Sequence, residues 1–90
     1  MIRHYNIKVR GKVQGVSYRY NAQAKAHKLD LTGFVKNMHD ESVYIELEGQ
    51  EENINKFIEW CYTGPRLAKV IEVVPEEAKV IGFQTFEVKK

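Results

Sequence analysis

Nine consecutive residues, Gly11-Lys12-Val13-Gln14-Gly15-Val16-Ser17-Tyr18-Arg19, carry the groups that a phosphate anion needs. The glycines let the backbone curl so that several N–H groups point into one hollow. A helix that starts at the end of the run adds N–H groups without intrahelical partners, together with the positive end of its dipole. Arg19 falls in or near the first helical turn, and helical side chains lean toward the N-terminus, so its guanidinium can fold back over the same hollow. A planar fork of donors then grips two phosphate oxygens while the backbone takes the others. Strand-glycine-turn-helix connections also serve packing. The run is not a Walker loop: the spacing of a second glycine followed by Lys and Ser/Thr is missing, which argues against nucleoside triphosphates.

The surrounding sequence supplies elements that can hold this run. From His4 to Arg10 the residues alternate, with Tyr5, Ile7 and Val9 on one side, which is the period of a half-buried strand. After the Gly11 to Gly15 turn, Tyr18, Ala22, Ala26 and Leu29 recur at helical spacing. Thr32 to Asn37 reads as a second strand, Met38 to Ser42 as a hairpin, and Val43, Ile45 and Leu47 mark the apolar side of a third strand. Ile54, Phe57, Ile58 and Cys61 form a helical stripe that follows the acidic Glu51 and Glu52 and is stopped by Gly64-Pro65. Ala68 to Val74 predicts a fourth strand, and Gly82 to Val88 a fifth, with Phe86 and Val88 as its core candidates. Strands apolar on one face, separated by two helices, give a βαββαβ order with a possible extra edge strand. The expected architecture is an antiparallel sheet of four to five strands carrying both helices on one side.

Composition narrows the function. Ninety residues with 43% hydrophobic content make one domain, spanning 1–90, and a chain this short buries little more than about 60% of its unfolded surface. Any site therefore sits at the rim of the core and takes small molecules from solvent. The 14 basic and 12 acidic residues, net +2, are interleaved, unlike the clustered basic face of a phosphate-tracking protein. No apolar stretch approaches the roughly 18 residues of a membrane span. The lone Cys61 has no disulfide partner and the N-terminus carries no signal-like apolar run, so the expected compartment is the cytoplasm.

Other chemistry-bearing residues fit plainer roles. His4, His27 and His39 show no ligand spacing and read as surface histidines, so no metal site is expected. Asp40 and Glu41 read as turn residues, and Glu46, Glu48, Glu51 and Glu52 as a solvated acidic edge. Cys61, on an apolar stripe, reads as a buried inert thiol. Tyr18, Tyr20, Phe34 and Phe57 read as full or partial core aromatics, and Lys12 and Lys36 as solvated lysines.

Two separate runs resemble one known family. Gly11 to Arg19 resembles the first acylphosphatase signature, G-x-V-Q-G-V-x-F-R, with Tyr18 for the usual Phe. Gly33-Phe34-Val35-Lys36-Asn37 is similar to the start of the second, G-W/F-V-x-N, with Val43 and Gly49 at its later valine and glycine. Gly64-Pro65, Ala68 and Val70 resemble the region after the family's second helix, so the likeness covers nearly the full length. One position departs: Glu41 stands where the family has glycine. If the turn requires a left-handed backbone there, glutamate costs about 1 to 2 kcal/mol. Ser17, at the variable position of the first run, raises no such concern.

The resemblance implies a ferredoxin-like α+β sandwich and an enzyme that hydrolyses the carboxyl-phosphate anhydride of acyl phosphates without metal or cofactor. It implies that Arg19 and the backbone of Gln14, Gly15, Val16, Ser17 and Tyr18 bind the phosphate, and that Asn37 orients the attacking water. The expected partner is a small acyl phosphate, with no nucleic acid or membrane, and the expected state is a monomer. Two rivals share the element order: a phosphate-binding regulatory or carrier domain, and an RNA-binding module. Retained Arg19 and Asn37 weigh against the first. Against the second, Val43-Tyr44-Ile45-Glu46-Leu47 offers one aromatic and an acidic residue where RNA-recognition strands carry stacking aromatics.

Overall fold

The computed structural model describes residues 1–90. Its elements are β1 (Ile2–Lys12), α1 (Tyr18–Lys28), β2 (Thr32–Asn37), β3 (Val43–Gln50), α2 (Glu51–Thr63), β4 (Lys69–Ala78) and β5 (Phe86–Lys89). Five strands form one sheet in the order β4-β1-β3-β2-β5. β1 lies antiparallel between β3 and β4, and β2 pairs antiparallel with β3. β1 and β2 therefore run the same way, as do β3 and β4, and each such pair is joined through a helix. Right-handed crossovers in both units bring α1 and α2 to the same side. There α1 packs on β2 and β5, and α2 mainly on β4 and β3.

Alternation along the strands decides what each face buries. Ile7 and Val9 of β1, Val35 of β2, and Val43, Ile45 and Leu47 of β3 join Ala22, Ala26, Ile54, Phe57 and Cys61 from the helices in one apolar core. α1 ends with Lys25, His27 and Lys28 in its last turn, where positive charge meets the negative end of the dipole. α2 begins directly at the end of β3 with Glu51 and Glu52 in its first turn. At Gly11 the β1–β4 register slips. With φ at 130°, any Cβ there would stand 2.2 Å from Lys69 O, so glycine is what lets β1 bend into the loop that follows. No helix is long and apolar enough to cross a membrane.

Two features differ from the sequence reading. The first four strands are antiparallel as expected, but β5 joins the outer edge of β2 in parallel, Gly33 opposite Phe86 and Lys36 opposite Lys89. β4 and β5 lie at opposite edges. The chain crosses the sheet between them and returns running against β4, hence in the direction of β2, so the sheet is mixed. This crossing also explains the second difference. His4 and Glu48, expected on the surface, are 1% and 3% exposed, because the segment from Lys79 to Thr85 covers the side of the sheet away from the helices. The backbone N–H groups of Ile81, Gly82 and Phe83 donate to the Glu48 carboxylate, whose Oε2 also lies 2.7 Å from His4 Nδ1. Phe83 stacks on the His4 ring. Glu46 is only half-buried, while Glu51 and Glu52 are exposed.

Candidate active site

Topology brings the two candidate side chains to one end of the sheet. β1, β2 and β5 run in parallel directions, so the loop after Lys12, the last residue of β2 (Asn37) and the end of β5 (Lys89) lie together. Val9 and Asn37 both face Val43 across β3. Asn37 shares the parity of Val35, which points toward the helices. Arg19 is the second residue of α1.

A hollow of about 300 Å³ lies at this end, lined by Val13, Gly15, Ser17, Tyr18, Arg19, Tyr20 and Asn37. Its wall is the loop that connects β1 to α1. Gly15 has φ 74° and Ser17 φ 64°, two left-handed residues on either side of Val16, the kind of backbone that turns successive N–H groups to one side. No backbone carbonyl accepts from the N–H groups of Gln14, Gly15, Val16 or Ser17. Those donors, the free first turn of α1 and the Arg19 guanidinium give the hollow positive character, and no carboxylate lines it. Arg19 is anchored from the other side: its Nη1 donates to Lys89 O at 2.7 Å. Asn37 Oδ1 is buried with no hydrogen-bond partner in the protein, an acceptor left open where most buried polar atoms are paired.

The structure sorts the sequence candidates. Gly15, Ser17, Tyr18, Arg19 and Asn37 share the hollow. Val16 turns its side chain away, 8% exposed, toward a neighbouring depression with Asn21, Pro65, Arg66 and Leu67. The Gln14 carboxamide turns to the β2–β3 hairpin, where Nε2 donates to Met38 O at 2.8 Å and Ser42 O at 2.9 Å. Tyr18 is buried and donates its hydroxyl to Cys61 O, so the oxygen that the family's usual Phe lacks has a partner inside the core. Burial pushes the Tyr18 phenol well above its ordinary range and the Cys61 thiol to about 12; Cys61 is buried, as its stripe position predicted. Lys12 is exposed, and Lys36 stands over Phe34 and Tyr44 on the other side of the sheet.

Two expectations change, and a condition set at Glu41 is met. Tyr20 is not a core aromatic but 62% exposed at the mouth of the hollow; its place beside Arg19 in the first helical turn was the signal available. Ser17 does carry a strained left-handed backbone, because it ends the curl just before α1. Glu41 is also left-handed, φ 72°, so the cost attached to its departure from glycine is incurred. The hairpin is held regardless: Met38 N–H donates to Ser42 O at 2.9 Å, and Asp40 accepts from both the backbone N–H and hydroxyl of Ser42. The Lys8 ammonium, 2.8 Å away, together with Ser42 holds the Asp40 carboxyl well below the usual carboxylate range, and keeps this negative charge turned from the hollow.

The whole chain compares closely with known proteins. The acylphosphatase family model matches residues 5–88. An acylphosphatase of Bacillus licheniformis is 44% identical over 85 residues, covering 93% of this chain and 94% of the relative. One of Acaryochloris marina is 42% identical over 80 residues, covering 89% and 86%. The crystal structure of acylphosphatase from Bacillus subtilis superposes with a TM-score of 0.94 at 36% identity, with 100% of both chains covered. The chain belongs to the acylphosphatase family, enzymes that hydrolyse the carboxyl-phosphate anhydride of acyl phosphates to a carboxylate and inorganic phosphate.

Proposed function

We propose that Arg19 and the backbone N–H groups of Gln14 to Tyr18 bind the phosphate of an acyl phosphate, and that Asn37 orients the water that attacks it. The observation that carries this reading is a run of N–H groups without carbonyl acceptors beside the only cation lining the hollow. The water oxygen forms a bond to phosphorus as the bond from phosphorus to the carboxylate oxygen breaks. The carboxylate leaves as a stable anion, so no strong acid is needed. The water proton passes to a phosphate oxygen, since no side chain that could act as a general base at neutral pH lines the hollow. In the loose transition state negative charge spreads over the equatorial oxygens, which fixed N–H groups and a guanidinium stabilise in place of water. The open Oδ1 of Asn37 accepts a hydrogen bond from the incoming water and sets its direction.

The same reading is metal-independent, because the hollow offers a divalent cation no carboxylate, imidazole or thiolate. The 90 residues act as one domain and a monomer: edge strand β4 carries Pro75 and exposed Glu72, Glu76 and Glu77, which discourage strand addition. Nucleic acid is not a partner, since Phe83 occupies the aromatic side of the sheet against His4 and Phe34. The free, buried Cys61 suits a cytoplasmic setting. Hydrolysis of a simple acyl phosphate should proceed in chelator and be competitively inhibited by inorganic phosphate. Arg19→Ala should lose nearly all turnover, about 10³-fold. Asn37→Ala should lose turnover while keeping its phosphate inhibition constant. Near-normal rates in either variant, or strict metal dependence, defeat the proposal.

A further inference from the structure

We infer that the Gln14 side chain is a positioning residue for the reaction: it cross-links the phosphate loop to the hairpin that begins at Asn37, and so sets where the Asn37 carboxamide stands. The inference rests on the reading of Asn37 as the group that orients water.

Gln14 lies at the base of the loop, and both N–H bonds of its carboxamide cross to the β2–β3 hairpin, one to Met38 O and one to Ser42 O. Two carbonyl acceptors fix the amide orientation, since only the NH₂ end can serve both. Neither carbonyl needs Gln14 for its own satisfaction: Met38 O already accepts from Glu41 N–H, and Ser42 O from Met38 N–H. What the side chain adds is a tie between two segments that are distant in sequence. Met38 follows Asn37 directly, and no protein group holds the Asn37 Oδ1. The aim of that side chain therefore depends on its backbone, which sits beside a hairpin with a left-handed glutamate at position 41. A displacement of about 1 Å in such a group costs about 100-fold in rate.

The test compares Gln14→Met, which keeps the length and loses both donors, with Gln14→Glu, whose ionised form presents only acceptors to the two carbonyls and whose protonated form regains one donor. Relative to the parent enzyme at pH 7, both should lower kcat about 10- to 100-fold, and in the uncharged Gln14→Met inhibition by inorganic phosphate should change less than about twofold because the backbone cradle remains. For Gln14→Glu the deficit should shrink as the pH falls through the carboxyl's own titration, whereas for Gln14→Met it should not. That comparison is made between pH values on one folded chain, so it stands even where Gln14→Met fails to fold.

Normal kcat in Gln14→Glu at pH 7, or phosphate affinity falling in step with kcat in Gln14→Met, overturns the inference. If Asn37→Ala is inactive while the Gln14 variants turn over normally, this inference alone fails. If Asn37→Ala retains turnover, the reading beneath it fails, and this inference with it.

Discussion

Two runs of backbone N–H groups in this molecule have no carbonyl acceptor, and the two are answered differently. Across the sheet from the helices, the N–H groups of Ile81, Gly82 and Phe83 close on the carboxylate of Glu48. At the sheet end, the N–H groups of Gln14 to Ser17 meet no protein carbonyl, and the nearby acid Asp40 is drawn to Lys8 instead. The first is a closed structural joint whose anion is part of the chain. The second has no carboxylate of the chain in its lining, and under the proposed function takes its anion from solution. What separates the two is where the chain places its own carboxylates.

Among changes that test this contrast, the largest effect should come from making the open site resemble the closed one. Ser17 lines the hollow in a left-handed conformation that aspartate tolerates better than most residues. Ser17→Asp should therefore fold, yet place a negative charge against the phosphate and weaken inhibition by inorganic phosphate about 100-fold. Unchanged phosphate inhibition would show that the loop is not the cradle. The converse change is to empty the closed joint. Glu48→Gln should cost about 2 kcal/mol in urea unfolding at pH 7, because hydrogen bonds to a charged group are weakened, while phosphate inhibition stays normal. A stability within 0.5 kcal/mol of the parent, taken as about the spread of a neutral surface change, would contradict the role of that joint.

Titration sharpens the contrast. Burial opposes ionisation of Glu48, but the N–H of Ile81, the His4 ring and the N–H groups of Phe83 and Gly82 together outweigh it, so the carboxyl titrates below its ordinary 4.5. The unfolded chain takes up that proton first. The stabilisation is thus present above about pH 4.5 and is lost as the pH falls through the folded-state value. Urea midpoints between pH 7 and pH 3 should fall more steeply for the parent than for Glu48→Gln; parallel curves would exclude Glu48 as the titrating group. The smallest expected change is Glu41→Gly, which relieves a left-handed glutamate at some cost in chain entropy, for a net gain of about 0.5 to 1 kcal/mol and a Tm rise of about 4 °C. A lower Tm would mean that the glutamate side chain contributes more than its backbone costs.

Much of this was legible in the sequence. The alternation at Tyr5, Ile7 and Val9, the stripe at Ile54, Phe57 and Cys61, and the paired runs ending in Arg19 and Asn37 gave the element order and the two side chains that meet at the hollow. What stayed hidden depended on long-range crossings. His4 and Glu48 alternate as solvent-facing residues should, and only the passage of Ile81 to Phe83 beneath the sheet buries them. β5 has four residues, too few for a pattern to state its direction. Ser17 differs because the curl that strains it is a property of the assembled loop, whereas Tyr20 lies off the buried Tyr18, Ala22 and Ala26 stripe of α1 and so faces out, and the Gln14 contacts join segments that no local spacing connects.

The interleaved strand order has a consequence for refolding. β3 stands between β1 and β2, so Arg19 and Asn37 can become neighbours only after non-local pairings form, which is slow compared with helix formation. After dilution from urea, helical ellipticity should therefore recover before catalysis does. The assay then times the closing of the sheet.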